Sequence, residues 1–224
     1  MSATLAMRPC HRSGVRTMTG DAVWVLGGGG HGKVAVATLR AAGWPVAAVL
    51  DDDERLWGRT VLGVEVVGPI RGTPLQGRRA LLAIGGNAAR HALASELTGA
   101  EWAVCTHPRA WVEEGARLGE GVLVCAGAVV QAEAEVGPHA IINTCASVDH
   151  DCRIGAFVHV APGARLGGNV MIGEGTLVGI GSVILPGVHV GKWATVGAGA
   201  VVVDNVADGT VVAGVPARVM SRKV

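Results

Sequence analysis

The sequence predicts an α/β, Rossmann-like N-terminal domain followed by a left-handed parallel β-helix of hexapeptide repeats. Three observations carry this. Every sixth residue from Val112 to Val202 is Val, Leu or Ile, sixteen positions in succession. Thirty-five glycines beside one Phe and no Tyr leave the core to aliphatic and small side chains. Upstream, a Gly-rich turn at 27–32 separates a strand-like run from a helix-like one.

From the N-terminus, residues 1–20 carry Arg8, Arg12 and Arg16 without a continuous apolar segment, so they are no secretory signal. They read as a disordered tail, or as residues upstream of a true start at Met18. An α/β unit is expected over 21–106: strands at 23–26 and 46–50, a helix at 33–42, further strands at 80–84 and 102–105, and a helix at 88–97. Gly27, Gly29 and Gly32 satisfy GxGxxG, with Asp51 and Asp52 at the end of the second strand. Such glycines let a backbone approach a phosphate at the amino end of a helix, or simply make a tight turn. A dehydrogenase is excluded, because no second domain of the kind that positions a hydride acceptor follows.

The β-helix is expected over 107–207, with a cap at 208–224. Four residues after each aliphatic only Ala, Val, Cys, Ser or Thr occurs, which marks a second, smaller inward position. Three residues after it stand eight Gly and two Asn (Asn169, Asn205), the residues that accept positive φ most easily, so this column is a corner. Each hexad is then one short strand and one turn, and three hexads close a triangular coil. A little over five coils at a spacing of about 4.8 Å give a prism roughly 25 Å long. The uncharged stretch at 175–191 is this repeat and not a membrane span. Flat, poorly polar side walls predict self-association.

A formal net charge of +1 with no block of like charges, and few aromatics, excludes a nucleic-acid-binding role. Five cysteines without a CxxC pair exclude a structural zinc cluster and suit reduced thiols in a cytoplasm. Five successive corners lack glycine: Glu133, His139, Cys145, Asp151 and Phe157. Near them stand Asn143, Asp149, His150 and His159. At a corner, His150 and Asp151 can project to one side as a base and its orienting acid, or be solvated turn residues. Cys152 occupies a small inward position, and nothing near Cys145 marks it as a nucleophile. Arg218 belongs either to a cap on the open end or, with Lys192, to a phosphate contact.

The repeat, the Gly-Val-Pro-Ala-Arg at 214–218 and the Gly-Gly-Gly-His-Gly-Lys at 28–33 together resemble the hexapeptide-repeat sugar acyltransferases. The closest groups are the UDP-4-amino-sugar N-acetyltransferases of bacillosamine synthesis and the sialic acid O-acetyltransferases. The resemblance implies a homotrimer with a nucleotide sugar in the N-terminal domain and acetyl-CoA in a groove between neighbouring β-helices. It sets His150 and Asp151 on the family's catalytic His–Glu pair, the acid one methylene shorter. It sets Gly29, Gly30, His31, Asp51, Asp52 and Gly85 on UDP-sugar contacts, Asn143 in the active site and His159 near the acetyl group. Ile180 and Ala198 fall on CoA contacts, and Arg218 joins them as a phosphate contact. His150 would take a proton from a sugar 4-amine as the amine attacks the thioester. The alternatives are a hydroxyl acceptor, a γ-carbonic-anhydrase-like zinc site using His139, His150 and His159, and a non-catalytic sugar-nucleotide sensor. No resident metal, nucleic acid or membrane span is expected.

Overall fold

A computed structural model describes residues 22–220. The expected tail at 1–20 and the last four residues of the expected cap lie outside the described residues. The N-terminal part is a six-stranded sheet: β1 (Val23–Leu26), β2 (Val46–Leu50), β3 (Thr60–Val61), β4 (Val64–Gly68), β5 (Arg79–Leu82) and β6 (Glu101–Trp102), in the order β3-β4-β2-β1-β5-β6. All pairings are parallel except the β3–β4 hairpin. Val23, Val25 and Leu26 of β1 and Leu81 and Leu82 of β5 are fully or almost fully buried, as central strands of a parallel sheet require. The hairpin carries no sequence signal, because Leu62 (φ 49°) takes a turn position that normally belongs to Asn, Asp or Gly.

Two helices connect the strands: α1 (Gly30–Ala41) and α2 (Asn87–Glu96). α1 begins three residues before the expected 33, because the poor helix-former glycine hides its first turn. Gly27 has φ 122°, and a Cβ there would lie 2.7 Å from the Ala83 carbonyl oxygen. A Cβ on Gly32 would collide with the carbonyl of Gly27. These two glycines of the GxGxxG pattern therefore serve packing. Gly29 and Gly30 have no atom within contact range of a built Cβ, so their side is open.

The expected strand at 102–105 is two strands in different sheets. Glu101–Trp102 closes the α/β sheet beside β5, while Cys105–Thr106 pairs with Leu123–Val124 as the first rung of a parallel β-solenoid. The solenoid has three faces, each a ladder of two-residue strands spaced 18 residues apart, except that the last rung of the first face, Val211–Ala213, is three residues long and follows Thr195 by 16. Its first face carries strands beginning at Cys105, Leu123, Ile141, His159, Leu177, Thr195 and Val211, the second those at Trp111, Val129, Ser147, Arg165, Val183 and Val201, and the third those at Arg117, Glu135, Arg153, Met171 and His189. Antiparallel Arg218–Val219 closes the first face. Inside, the aliphatic column (Val130, Val148, Ile184) and the small column (Ala128, Ala134, Ala146) are buried together. Full burial of each aliphatic contributes about 1.5–3 kcal/mol. The hydroxyls that fall in the small column are satisfied by backbone: Thr176 donates to the Gly191 carbonyl at 2.6 Å and Ser182 to that of Gly179 at 2.8 Å.

The five corners without glycine keep the left-handed conformation, with φ between 55° and 59° from Glu133 to Phe157, at a cost of about 1–2 kcal/mol each. They do not form one cluster. Successive corners fall on successive edges of the triangle, so the group is dealt out over all three.

Candidate active site

At the open end of the α/β sheet, Gly29 caps α1 without a side-chain cap, and the first turn of the helix holds no acid. The amino end of the helix carries unpaired amides and the positive end of the helix dipole. A cavity of about 330 Å³ is lined by Gly28, Gly29, Gly30, Lys33 and Arg59, among others. Lys33 and Arg59 were not singled out from sequence; Lys33 was visible only as the last residue of the Gly-rich run. Asp51 shapes this loop by accepting from the amides of Gly28 (2.6 Å) and Asp53 (2.8 Å). Asp52 is committed to the next turn, accepting from the amides of Ile70 and Arg71 and pairing with the Arg71 guanidinium at 2.6 Å.

The α/β domain sits on the first face of the solenoid, where His31, Gly85, Asn143 and His159 meet. The directions of their hydrogen bonds are fixed from both ends. The Thr144 amide can only donate, and it donates to Asn143 Oδ1 at 2.7 Å. Asn143 Nδ2 therefore donates to His159 Nε2 at 2.9 Å, and His159 Nδ1 carries the proton given to the Gly85 carbonyl at 3.2 Å. His159 is a neutral imidazole in the Nδ1–H form. Burial, opposed by the Gly85 bond and aided by the nearby Arg90 charge, pushes its pKa down to about 4. His31 lies beside it, ring centroids 5.8 Å apart. Burial first, then His159 and Arg90, lowers His31 to about 4 as well. His31 Nε2 is buried with no partner, a polar atom available to a ligand in this cluster.

The edge between the first and second faces continues from this cluster. Thr144, Ile180 and Ala198 occupy equivalent turns on it, with Ile180 60% exposed and its carbonyl accepting from the Gly199 amide at 2.8 Å. From Thr144 to Ala198 is three coils, roughly 15 Å. Arg218 stands at the terminal rung, where a shallow pocket of about 200 Å³ lies between it, Asp204 and Asn205.

His150 and Asp151 lie on the edge between the second and third faces. Asp151, held at φ 59°, turns its carboxylate back so that Oδ2 meets His150 Nδ1 at 2.7 Å. The shorter acid thus reaches the imidazole. Its hydrogen bond, then the charge of Asp149, raises the His150 pKa above the ordinary 6.5. Nε2 is left free, and it stands above Gly168 one coil on: a Cβ at Gly168 would lie 2.6 Å from both Nε2 and Cε1. Gly168 is part of the site and was not recognised from sequence, because half the residues in neighbouring columns are glycine for structural reasons. His139 is elsewhere, on the edge between the third and first faces. It is stacked on Phe157 at 5.1 Å and edge-on to Trp102, while Phe157 meets His91 of α2. Side chains at those corners join the two domains. His139, His150 and His159 do not converge within one chain. Cys145 lies on the edge between the first and second faces, and Cys152 is fully buried in the small column with its thiol pushed up by burial.

One chain therefore holds a Gly loop at a helix amino end, a neutral histidine pair and an exposed His–Asp dyad beside or on a hexapeptide solenoid. A hexapeptide solenoid carrying such groups has the architecture of an acyltransferase of the hexapeptide-repeat class. The comparisons agree. The PglD N-terminal domain family matches residues 22–97, and the bacterial transferase hexapeptide family matches 169–204. GDP-perosamine N-acetyltransferase from Caulobacter crescentus, a histidine-to-alanine variant crystallised with CoA and GDP-perosamine, is 42% identical over 90% of this chain and 97% of its own, with a TM-score of 0.84. The acetyltransferase domain of PglB from Neisseria gonorrhoeae is 37% identical over 90% of this chain and all of its own, TM-score 0.84. WeeI from Acinetobacter baumannii is 29% identical over 90% of this chain and all of its own, TM-score 0.81. No curated protein matches the chain. The chain belongs to the bacillosamine-type family of hexapeptide-repeat sugar N-acetyltransferases. No helix among the described residues is long and apolar enough to cross a membrane.

Proposed function

We propose that the chain transfers the acetyl group of acetyl-CoA to the 4-amine of a sugar carried on a nucleoside diphosphate. The observation that carries this is the His150–Asp151 dyad with Nε2 free above Gly168. His150 Nε2 accepts the proton of the amine as nitrogen bonds to the thioester carbonyl carbon. The C–S bond then breaks, and His150 returns the proton to the departing thiolate. Asp151 holds Nδ1–H and stabilises the imidazolium in between. The amides at Gly29 and Gly30, with Lys33 and Arg59, bind the diphosphate. His31, Asn143 and His159 receive the sugar and the acetyl end. Ile180 and Ala198 flank the pantetheine arm, and Arg218 meets a CoA phosphate.

The dyad and the His31–His159 cluster occupy different edges of one prism, so a single chain does not complete this site. A homotrimer with the second face turned inward would bring the dyad of one subunit to the first–second edge of the next. The outward column of the second face supports this: it reads Trp111, Val129, Ser147, Arg165, Val183 and Val201, with Trp111 exposed. The third face instead presents Arg117, Glu135, Arg153, Met171 and His189, four of the five polar, with Arg117 paired with Glu135. A covered apolar face and a wet charged one are what such packing needs.

Amine acceptance is favoured over a hydroxyl by the N-acetyltransferase relatives, one of which binds GDP-perosamine. UDP- and GDP-linked 4-amino sugars, offered separately with acetyl-CoA, test both the acceptor and the nucleotide. His150→Ala should lower turnover about a hundredfold or more. Near-normal turnover in that variant would remove His150 from the mechanism, and thiol release with no amino sugar acetylated would remove the amine acceptor.

A further inference from the structure

Arg90 of α2 is 1% exposed, and among the described residues no carboxylate contacts its guanidinium. Five N–H donors find five acceptors instead. Nε donates to the His139 carbonyl at 2.9 Å, Nη1 to the carbonyls of Ile84 (2.7 Å) and Gly85 (3.4 Å), and Nη2 to the Phe157 carbonyl (2.7 Å) and Asn87 Oδ1 (3.0 Å). Two of these carbonyls belong to solenoid corners one coil apart, and two to the loop between β5 and α2. A guanidinium buried without an anion costs several kcal/mol in desolvation, so a domain contact alone would be better served by apolar residues. What distinguishes this cation is where its acceptors lie. Gly85, whose backbone it holds, accepts the Nδ1 proton of His159. Phe157, whose carbonyl it also holds, is the corner residue two positions before His159, leading into the strand that carries the ring.

We propose that Arg90 is a positioning residue: one guanidinium clamps both the carbonyl that receives the His159 proton and the strand that presents its ring, which fixes His159 as the Nδ1–H tautomer. At the other end the Thr144 amide independently holds Asn143 Oδ1, so Asn143 Nδ2 meets Nε2 and the two ends agree on one tautomer. The polar end of the acyl site is set by a residue that does not touch it. The charged and titratable groups facing His159 are His31 from α1 and Arg90 from α2, and its ladder neighbours Ile141 and Leu177 are apolar. The Arg90 charge also opposes protonation of His31, His139 and His159, which keeps the cluster neutral. Lysine cannot replace it, because three donors on a single nitrogen cannot span the loop and both corners.

The catalytic consequence rests on the function proposed above; the tautomer does not, and the experiment separates them. Long-range nitrogen–proton spectra of the imidazoles, with the His159 signals assigned by their loss in His159→Gln, report the tautomer directly at pH 7. The wild type should show Nδ1–H. Arg90→Lys should give an Nε2–H form or a mixture, with kcat lower by about tenfold or more and KM for both substrates within about twofold. An Nε2–H wild type overturns the proposal without any variant, and Arg90→Gln, which keeps a planar donor pair without the charge, replaces Arg90→Lys if the lysine variant does not fold. A wild-type tautomer or an unchanged kcat in folded Arg90→Lys also overturns it. If the wild type acetylates nothing, the proposed function fails while the spectra still decide the role of Arg90.

Discussion

Gly168→Ala isolates the base from the rest of the protein. Gly168 does not have a positive φ, so alanine fits the backbone, and the chain should gain a few tenths of a kcal/mol from a stiffer unfolded state. The built Cβ lies 2.6 Å from His150 Nε2 and Cε1, while ordinary contact begins at 3.4 Å. The ring must therefore retreat by about 0.8 Å, and the methyl also stands over the nitrogen that accepts the proton. His150 is largely exposed and free to swing, so the collision costs little stability. Misplacing a reacting group by about 1 Å is worth up to a hundredfold in rate. The expected outcome is kcat reduced about ten- to a hundredfold, KM for the nucleotide sugar within about threefold and Tm within about 4 °C of wild type. Steady-state kinetics and a thermal melt measure these together. Full activity in a normally folded Gly168→Ala would refute the placement of His150 Nε2 as the proton acceptor.

Three further outcomes follow from the same geometry. His150 must be neutral to act as a base, so activity falls as pH drops through its raised pKa; Asp151→Asn should move that acid limb of kcat/KM to lower pH and cut the plateau about tenfold or more, and an unmoved limb would contradict the dyad. His31, His139 and His159 are each held near pKa 4, so between about pH 6.5 and 4 the unfolded chain takes up protons that the folded one refuses. Their contribution to stability should be lost below pH 6.5, by up to about 1.4 kcal/mol per pH unit for each histidine, and denaturant melts that coincide at pH 7 and pH 5 would disprove it. At the corners, Glu133→Gly should stabilise by up to about 1 kcal/mol by relieving its positive φ. Phe157→Gly should instead destabilise by about 2 kcal/mol, roughly half the cost at a core site, because its ring packs against His91 and His139; equal signs for the two would show that corner strain, and not the domain contact, governs this edge.

The solenoid was legible because its period is a packing constraint: sixteen inward aliphatics cannot be replaced without opening the core. β1 and β2 were legible for the same reason, as short apolar runs between Gly-rich turns. The division of the non-glycine corners was not. In sequence His139, Cys145, Asp151 and Phe157 are consecutive members of one column, and only the triangular winding sends His139 and Phe157 to the domain contact and Asp151 to the dyad. Gly168 was hidden by its glycine-rich surroundings. Arg90 was hidden because it lies in the helix at 87–96, where an Arg reads as a solvated residue until carbonyls 49 and 67 positions away are seen on its guanidinium. The neutral state of His159 was equally illegible, since it follows from bonds to Asn143 and Gly85 whose directions are set by Thr144 at one end and a carbonyl at the other.

The central claim is that His150 catalyses acetyl transfer to the amine of a nucleotide-linked sugar. Product mass after incubating the full chain with acetyl-CoA and matched UDP- and GDP-4-amino sugars, run beside His150→Ala, tests it most directly. One added acetyl group, on nitrogen, is expected for at least one of the sugars, formed about a hundredfold more slowly by the variant. Acetylation of none of them, or equal rates for the two proteins, would contradict it.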